Sequence, residues 1–150
     1  MKRRHLADIA IAISLLAVSL TGCAGQQPAS KDLQSFSSMD EAYAAVDEIL
    51  ECDSAAAGNP IVPMGDGGRL ASAQRVCSEN VQIDLYPNQG ALEEGYQTWT
   101  DSSQGQIPLV RGTNWMVVDL SNIAGGGQSS TMDLQGLADK LKGEYAVVGT

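Results

Sequence analysis

An α+β fold is predicted for this chain: a small two-layer sandwich, with helices packed on one face of a sheet of about 3–4 strands and one disulfide. Three observations predict it. Apolar residues recur at helical spacing in three separate segments, and alternating or apolar runs of strand length lie between them. Two cysteines flank a Gly- and Pro-rich stretch. At 150 residues the chain holds one domain once its leading segments are removed.

The leading segments come first in the chain. Met1-Lys-Arg-Arg-His5 is basic, and Ile9 to Leu20 is an apolar run broken only by small Ala and Ser. That run is shorter than the ~20 residues a membrane span requires, so it reads as the core of a signal peptide. It ends in Leu20-Thr21-Gly22-Cys23, which resembles the bacterial lipobox. The resemblance implies cleavage before Cys23 and attachment of a diacylglycerol to its thiol. Two acyl chains anchor stably where one does not, at roughly 0.8 kcal/mol per buried methylene. Residues 1–22 are therefore expected to be a lipoprotein signal peptide. Residues 23–37, polar and small with Pro28, form the lipidated N-terminus and a flexible tether spanning about 20 Å.

The domain is expected over residues 38–150. Ser38-Met-Asp-Glu41 is a capping-box pattern, and Met39, Ala42, Tyr43, Val46, Ile49 and Leu50 follow at helical spacing, predicting a helix over 39–51. Residues 55–68, with AAAGNP and PMGDGG, read as an irregular loop. Val81-Gln-Ile-Asp-Leu-Tyr86 alternates apolar and polar, the pattern of a half-buried strand. Ala91, Leu92, Tyr96 and Trp99 place a second helix at about 89–101, weakened by Gly95. Leu109 to Leu120 is either two strands around Gly112-Thr113 or one bulged strand. After a Gly-Ser loop, Leu134, Leu137, Ala138 and Leu141 line a third helix with Gly143 as its C-terminal cap. Tyr145 to Gly149 closes as a strand. This order fits helices over a small sheet, of which a ferredoxin-like arrangement is one variant, and leaves the topology open.

Compartment sorts the cysteines. Cys23 belongs to the anchor, which leaves Cys52 and Cys77 as a pair in an exported, oxidising setting. They lack the C-x-x-C spacing of redox pairs, and no histidine remains to complete a zinc site. A structural disulfide closing the intervening loop is worth about 3–4 kcal/mol by chain entropy.

Composition narrows function further. The net charge is −9, and removal of the leader with Lys2, Arg3, Arg4 and Asp8 leaves 6 basic and 17 acidic side chains, about −11. So acidic a surface disfavours nucleic acid and anionic lipid headgroups, which need Lys and Arg to displace counterions. The only histidine, His5, leaves with the leader, so Ser-His and Cys-His pairs and His-based metal sites are excluded. No cofactor and no metal is expected.

Carboxylate chemistry stays open. Glu93-Glu94 and Asp47-Glu48 are helix neighbours that point apart and read as solvated faces. Asp119 lies inside an apolar strand. It is expected at an edge or facing outward, or, if buried, paired with Arg111. Gly65-Asp-Gly-Gly68 lacks the G-K-[ST] ending of a P-loop and the alternating acidic ligands of an EF-hand, and reads as a loop. Trp99, Trp115, Tyr86 and Tyr96 read as core rather than the lining of a ligand groove.

Cys52…Cys77, the strand VQIDLY, the run LVRGTNWMV at 109–117 with its G-x-N-W pattern, and the closing LADKLKGEYAVVG together resemble a family of small exported actinobacterial lipoproteins of unknown function. The likeness spans most of residues 39–149 and transfers no catalytic residue. The expected function is a non-catalytic binding or interaction domain, lipid-anchored on the extracytoplasmic face of the cell membrane. Its partner would be an envelope protein, a glycan or a small ligand. Two alternatives remain: a carboxylate-only envelope enzyme acting on glycans, and an assembly component of an envelope complex that docks through an exposed apolar patch.

Overall fold

The computed structural model describes residues 32–56, 60–62, 70–124 and 131–150. The expected signal peptide, Cys23, most of the expected tether and Gly65–Gly68 lie outside the described residues.

Helix α1 spans Met39–Leu50. Ser38 caps its start, its hydroxyl accepting from the Glu41 amide at 3.2 Å. The return contact is shifted by one residue: Glu41 accepts from the hydroxyl and amide of Ser37, which lowers its pKa. Strands β1 (Ala73–Ser78) and β2 (Val81–Leu85) form a hairpin, and helix α2 (Gln89–Thr100) follows, capped by the Asn88 side chain. β3 (Ile107–Arg111) and β4 (Trp115–Asp119) form a second hairpin, which decides between the two readings of residues 109–120. A short helix α3 (Ser121–Ala124), helix α4 (Leu134–Lys140) and strand β5 (Glu144–Val148) complete the chain.

The α+β class and the single disulfide are as the sequence implies. The sheet is wider than expected, with five antiparallel strands in the order β1-β2-β4-β3-β5. β1 has no signal in the sequence, since AQRVCS carries no run of apolar or alternating residues. The helices also divide between the two faces. On one face Val81, Ile83, Leu85, Val110, Trp115 and Val117 pack with α1 and α4. On the other, Ile107, Leu109, Met116 and Val118 pack with Leu92 and Trp99 of α2, and Ile61, Val62 and Leu70 lean on the same cluster. This makes three layers where two were expected. β2 is accordingly buried at all five positions, not half-buried.

Two glycines owe their places to close approach. A Cβ on Gly95 would lie 2.7 Å from the Tyr86 ring, so the residue that weakens α2 also admits Tyr86. Gly143 is not the left-handed residue ending α4; Lys142 is, at φ 48°. The Gly143 amide donates back to Ala138 at 2.8 Å, and its missing side chain leaves room for Val110.

Candidate functional site

The β3–β4 turn, Gly112-Thr113-Asn114, holds the incoming chain. The Asn114 side chain bonds both backbone groups of Phe36, accepting from its amide at 3.0 Å and donating to its carbonyl at 2.7 Å. The Thr113 amide and the Trp115 indole N–H both donate to the Gln34 carbonyl at 2.9 Å, and the Thr113 hydroxyl donates to the Leu33 carbonyl. Phe36 is buried against Trp115 with ring centroids 5.4 Å apart. A Cβ on Gly112 would strike the Trp115 indole nitrogen, which explains glycine at the first position of the turn. The G-x-N-W pattern is thus a clamp on residues 33–36. The folded body includes Leu33–Phe36, ahead of Ser38, because these backbone groups find partners in the hairpin instead of water.

Cys52 and Cys77 are bonded to each other, joining the end of α1 to β1 with Cα atoms 4.6 Å apart. The amide of Asp53 donates to the Cys77 carbonyl at 2.8 Å, so the bridge is backed by a backbone bond.

Beneath α2 lies a buried polar cluster that the alternation of VQIDLY disguised. Asp84 and Gln82 have no exposed surface. Gln74 and Gln82 donate to Asp84 Oδ1 at 2.7 and 3.0 Å, and the Tyr86 hydroxyl stands 3.5 Å from Oδ2. Burial pushes the Asp84 carboxyl up to about 6 against the pull of these donors, and burial with the nearby carboxylate raises the Tyr86 phenol. Gln82 also takes both backbone groups of Val62, accepting from its amide and donating to its carbonyl. The cluster fixes residues 60–62 onto the sheet, a structural role. A single sequence cannot say what will cover the polar side of a strand, so no signal in VQIDLY distinguishes this outcome from solvent exposure.

Asp119 is the residue whose environment departs furthest from expectation. It ends β4, the central strand, and is 1% exposed, neither at an edge nor facing outward. Arg111 is not its partner. Arg111 pairs with Met116, three positions earlier on β4, so the two-residue repeat of the strand sends the two side chains to opposite faces. Arg111 instead bridges Glu93 at 3.1 Å and Glu144 at 3.3 Å and lies 4.0 Å over the Tyr96 ring. Asp119 Oδ1 accepts from the Ser121 amide at 2.9 Å, whereas its buried Oδ2 has no hydrogen-bond partner among the described residues.

That carboxylate borders a cavity of about 310 Å³, at the lower end of the range for small-molecule sites. Asn122, Asp133 and Gln135 supply the other polar groups of its wall, and Pro108, Leu134 and Tyr145 supply apolar surface. Asp133 is partly engaged, its Oδ1 capping α4 through the Gly136 amide. A second cavity, of about 340 Å³, lies beside Trp99, whose indole N–H is also buried without a partner among the described residues. Trp115 and Tyr86 are core, as expected, and Tyr96 is half-buried under Arg111. Among the described residues no cluster of three or more acidic, Cys or His side chains is arranged for a metal ion. None of their helices is long and apolar enough to cross a membrane.

Compared with models of protein families, with curated proteins and with solved structures, the chain gives no match. The likeness to exported actinobacterial lipoproteins therefore rests on its motifs alone.

Proposed function

We propose that this protein is a lipid-anchored, extracytoplasmic binding protein whose site is the cavity bordered by Asp119. Cys23 carries the lipid. The observation that carries the binding reading is that cavity of about 310 Å³, where polar Asn122, Asp133 and Gln135 meet apolar Pro108, Leu134 and Tyr145.

Membrane fractionation of the full-length protein and of Cys23→Ala tests the anchor. The wild type should partition with membranes as a processed, acylated chain, and the variant should be released or remain an uncleaved precursor. Equal processing and membrane association of the two would overturn it. A carboxylate-only enzyme acting on envelope glycans is the second reading, favoured by Asp119 and Asp133 bordering one cavity. Release of reducing sugar ends from purified cell-wall glycan, lost in Asp119→Asn, would establish it over binding. For the assembly reading the apolar surface is small: Tyr145 and Val147 are the large hydrophobic residues exposed among the described residues.

A further inference from the structure

We infer that β5 pairs with the β5 of a second copy of this chain, antiparallel about a twofold axis at Ala146, joining the two sheets edge to edge. This pairing depends on neither the cavity nor the anchor.

The register shows which backbone groups of β5 are free. The Gly112 amide donates to the Trp115 carbonyl, so Gly112 and, by alternation, Val110 turn their backbone groups toward β4. Leu109 and Arg111 then bond Ala146 and Glu144 of β5. Tyr145 and Val147 therefore point their N–H and C=O away from the sheet, and no hydrogen bond among the described residues takes them. Their side chains are exposed as well, at 38% and 48%. The opposite edge is guarded. β1 carries an irregular register at Val76–Ser78, the disulfide at Cys77, and the Asp53 amide on the Cys77 carbonyl. β5 has no bulge, proline or lysine to blunt it.

A second copy fits this edge because β5 matches itself. With Ala146 opposite Ala146, Tyr145 of each copy lies opposite Val147 of the other, and each such pair exchanges both its hydrogen bonds. Aromatic and β-branched side chains then pack across the join. The smallest side chain of the strand sits on the axis, where the Cα atoms of a non-hydrogen-bonded pair come to about 4.5 Å. Like charges do not meet, since Glu144 falls opposite Val148 and is held by Arg111. Neighbouring registers fail. An axis at Tyr145 would put Val147 opposite Gly143, whose amide is bonded to Ala138. An axis at Val147 would put Tyr145 opposite Gly149, which leaves extended backbone at φ 79°. A five-residue edge covers much less than the roughly 800 Å² per partner of a standard complex, so the pairing is weak, with a Kd of about 0.1–1 mM.

Disulfide trapping on the full-length protein in detergent micelles, at a concentration near that Kd, is the test. The wild-type chain is the blank for Cys23, Cys52 and Cys77. Under mild oxidant, Ala146→Cys should give cross-linked dimer at least about fivefold above the blank. Tyr145→Cys and Val147→Cys each set a thiol about 7–8 Å from its own counterpart, diagonally, and should stay at the blank. An equal mixture of those two variants should cross-link about fivefold above either alone, because the two positions face each other. Val147→Pro, added to Ala146→Cys, removes an outward N–H without touching the β3 ladder and should cut the dimer about fivefold or more. Should that chain fail to fold, Val147→Lys keeps the backbone and should do the same. No dimer from Ala146→Cys, or one indifferent to Val147→Pro and Val147→Lys, would overturn the pairing. Equal linking of the three single variants would mark random collision and overturn it too. In whole cells, Ala146→Cys linked only to a different envelope protein would assign the edge to a foreign strand instead.

Discussion

Replacing Asp84 with Asn should make the protein more stable at neutral pH, although it alters a buried, hydrogen-bonded residue. Burial holds the native Asp84 carboxyl at about 6 against 3.8 as its reference value. The folded state therefore binds the proton more tightly than the unfolded chain does. Stability from this group is fully present below pH 3.8, falls as pH rises through the interval to about 6, and is absent above it. The interval of about two units corresponds to about 3 kcal/mol at 1.36 kcal/mol per unit. An asparagine at this position cannot ionise. Its Oδ1 keeps the bonds from Gln74 and Gln82, and its Nδ2 faces the Tyr86 hydroxyl. A donor–donor approach to Gln82 Nε2, which stands 3.2 Å from Oδ2, takes back part of the gain. The expected net stabilisation at pH 7 is about 1–3 kcal/mol, vanishing near pH 4. Urea unfolding followed by the fluorescence of buried Trp99 and Trp115, at intervals from pH 4 to 8, reads it directly. The difference between variant and wild type removes the slopes of the other carboxylates, including Glu41. A difference that is flat with pH, or an Asn variant less stable at pH 7, would refute the account of Asp84 as an ionised group disfavoured by burial.

Other substitutions probe the scaffold. Converting Cys52 and Cys77 to Ser should cost about 3–4 kcal/mol in urea unfolding, and reductant should destabilise the wild type alone by a similar amount. Gly95→Ala gains about 1 kcal/mol of helix propensity and still should destabilise, because overpacking against the Tyr86 ring costs about 1–3 kcal/mol. A raised melting temperature would show that Tyr86 moves aside freely. Asn114→Ala should lose about 1–3 kcal/mol by stranding both backbone groups of Phe36. Hydrogen exchange should then accelerate at residues 33–36 while the β2–β4 ladder keeps its protection.

The residues differ in how far they can be read without the fold. α1 and α2 end within a residue of their predicted limits, because a cap side chain and an apolar stripe are both local in sequence. The Cys52–Cys77 bridge was legible too, since compartment and elimination leave only one pair. β1 is not legible because AQRVCS lacks an alternating or apolar run, and its place at the edge of the sheet is set by pairing with β2. The G-x-N-W pattern was visible as a pattern, but its task could not be read. Asn114 and Phe36 are 78 positions apart, a distance only chain folding closes.

Asp119 and Asp84 divide the two kinds of information most clearly. Sequence marked Asp119 as unusual, because a carboxylate within WMVVDL breaks an apolar run. It could not set the strand order that makes β4 central, nor the register that turns Arg111 to the other face. Asp84 looked ordinary, because alternation encodes which residues share a face and says nothing of what covers that face. Local spacing therefore determined the class, the limits of α1 and α2 and the expected anchor, and the cysteine count determined the disulfide. Burial, ion pairing and the cavity are long-range properties of the assembled layers, and only the tertiary structure decided them.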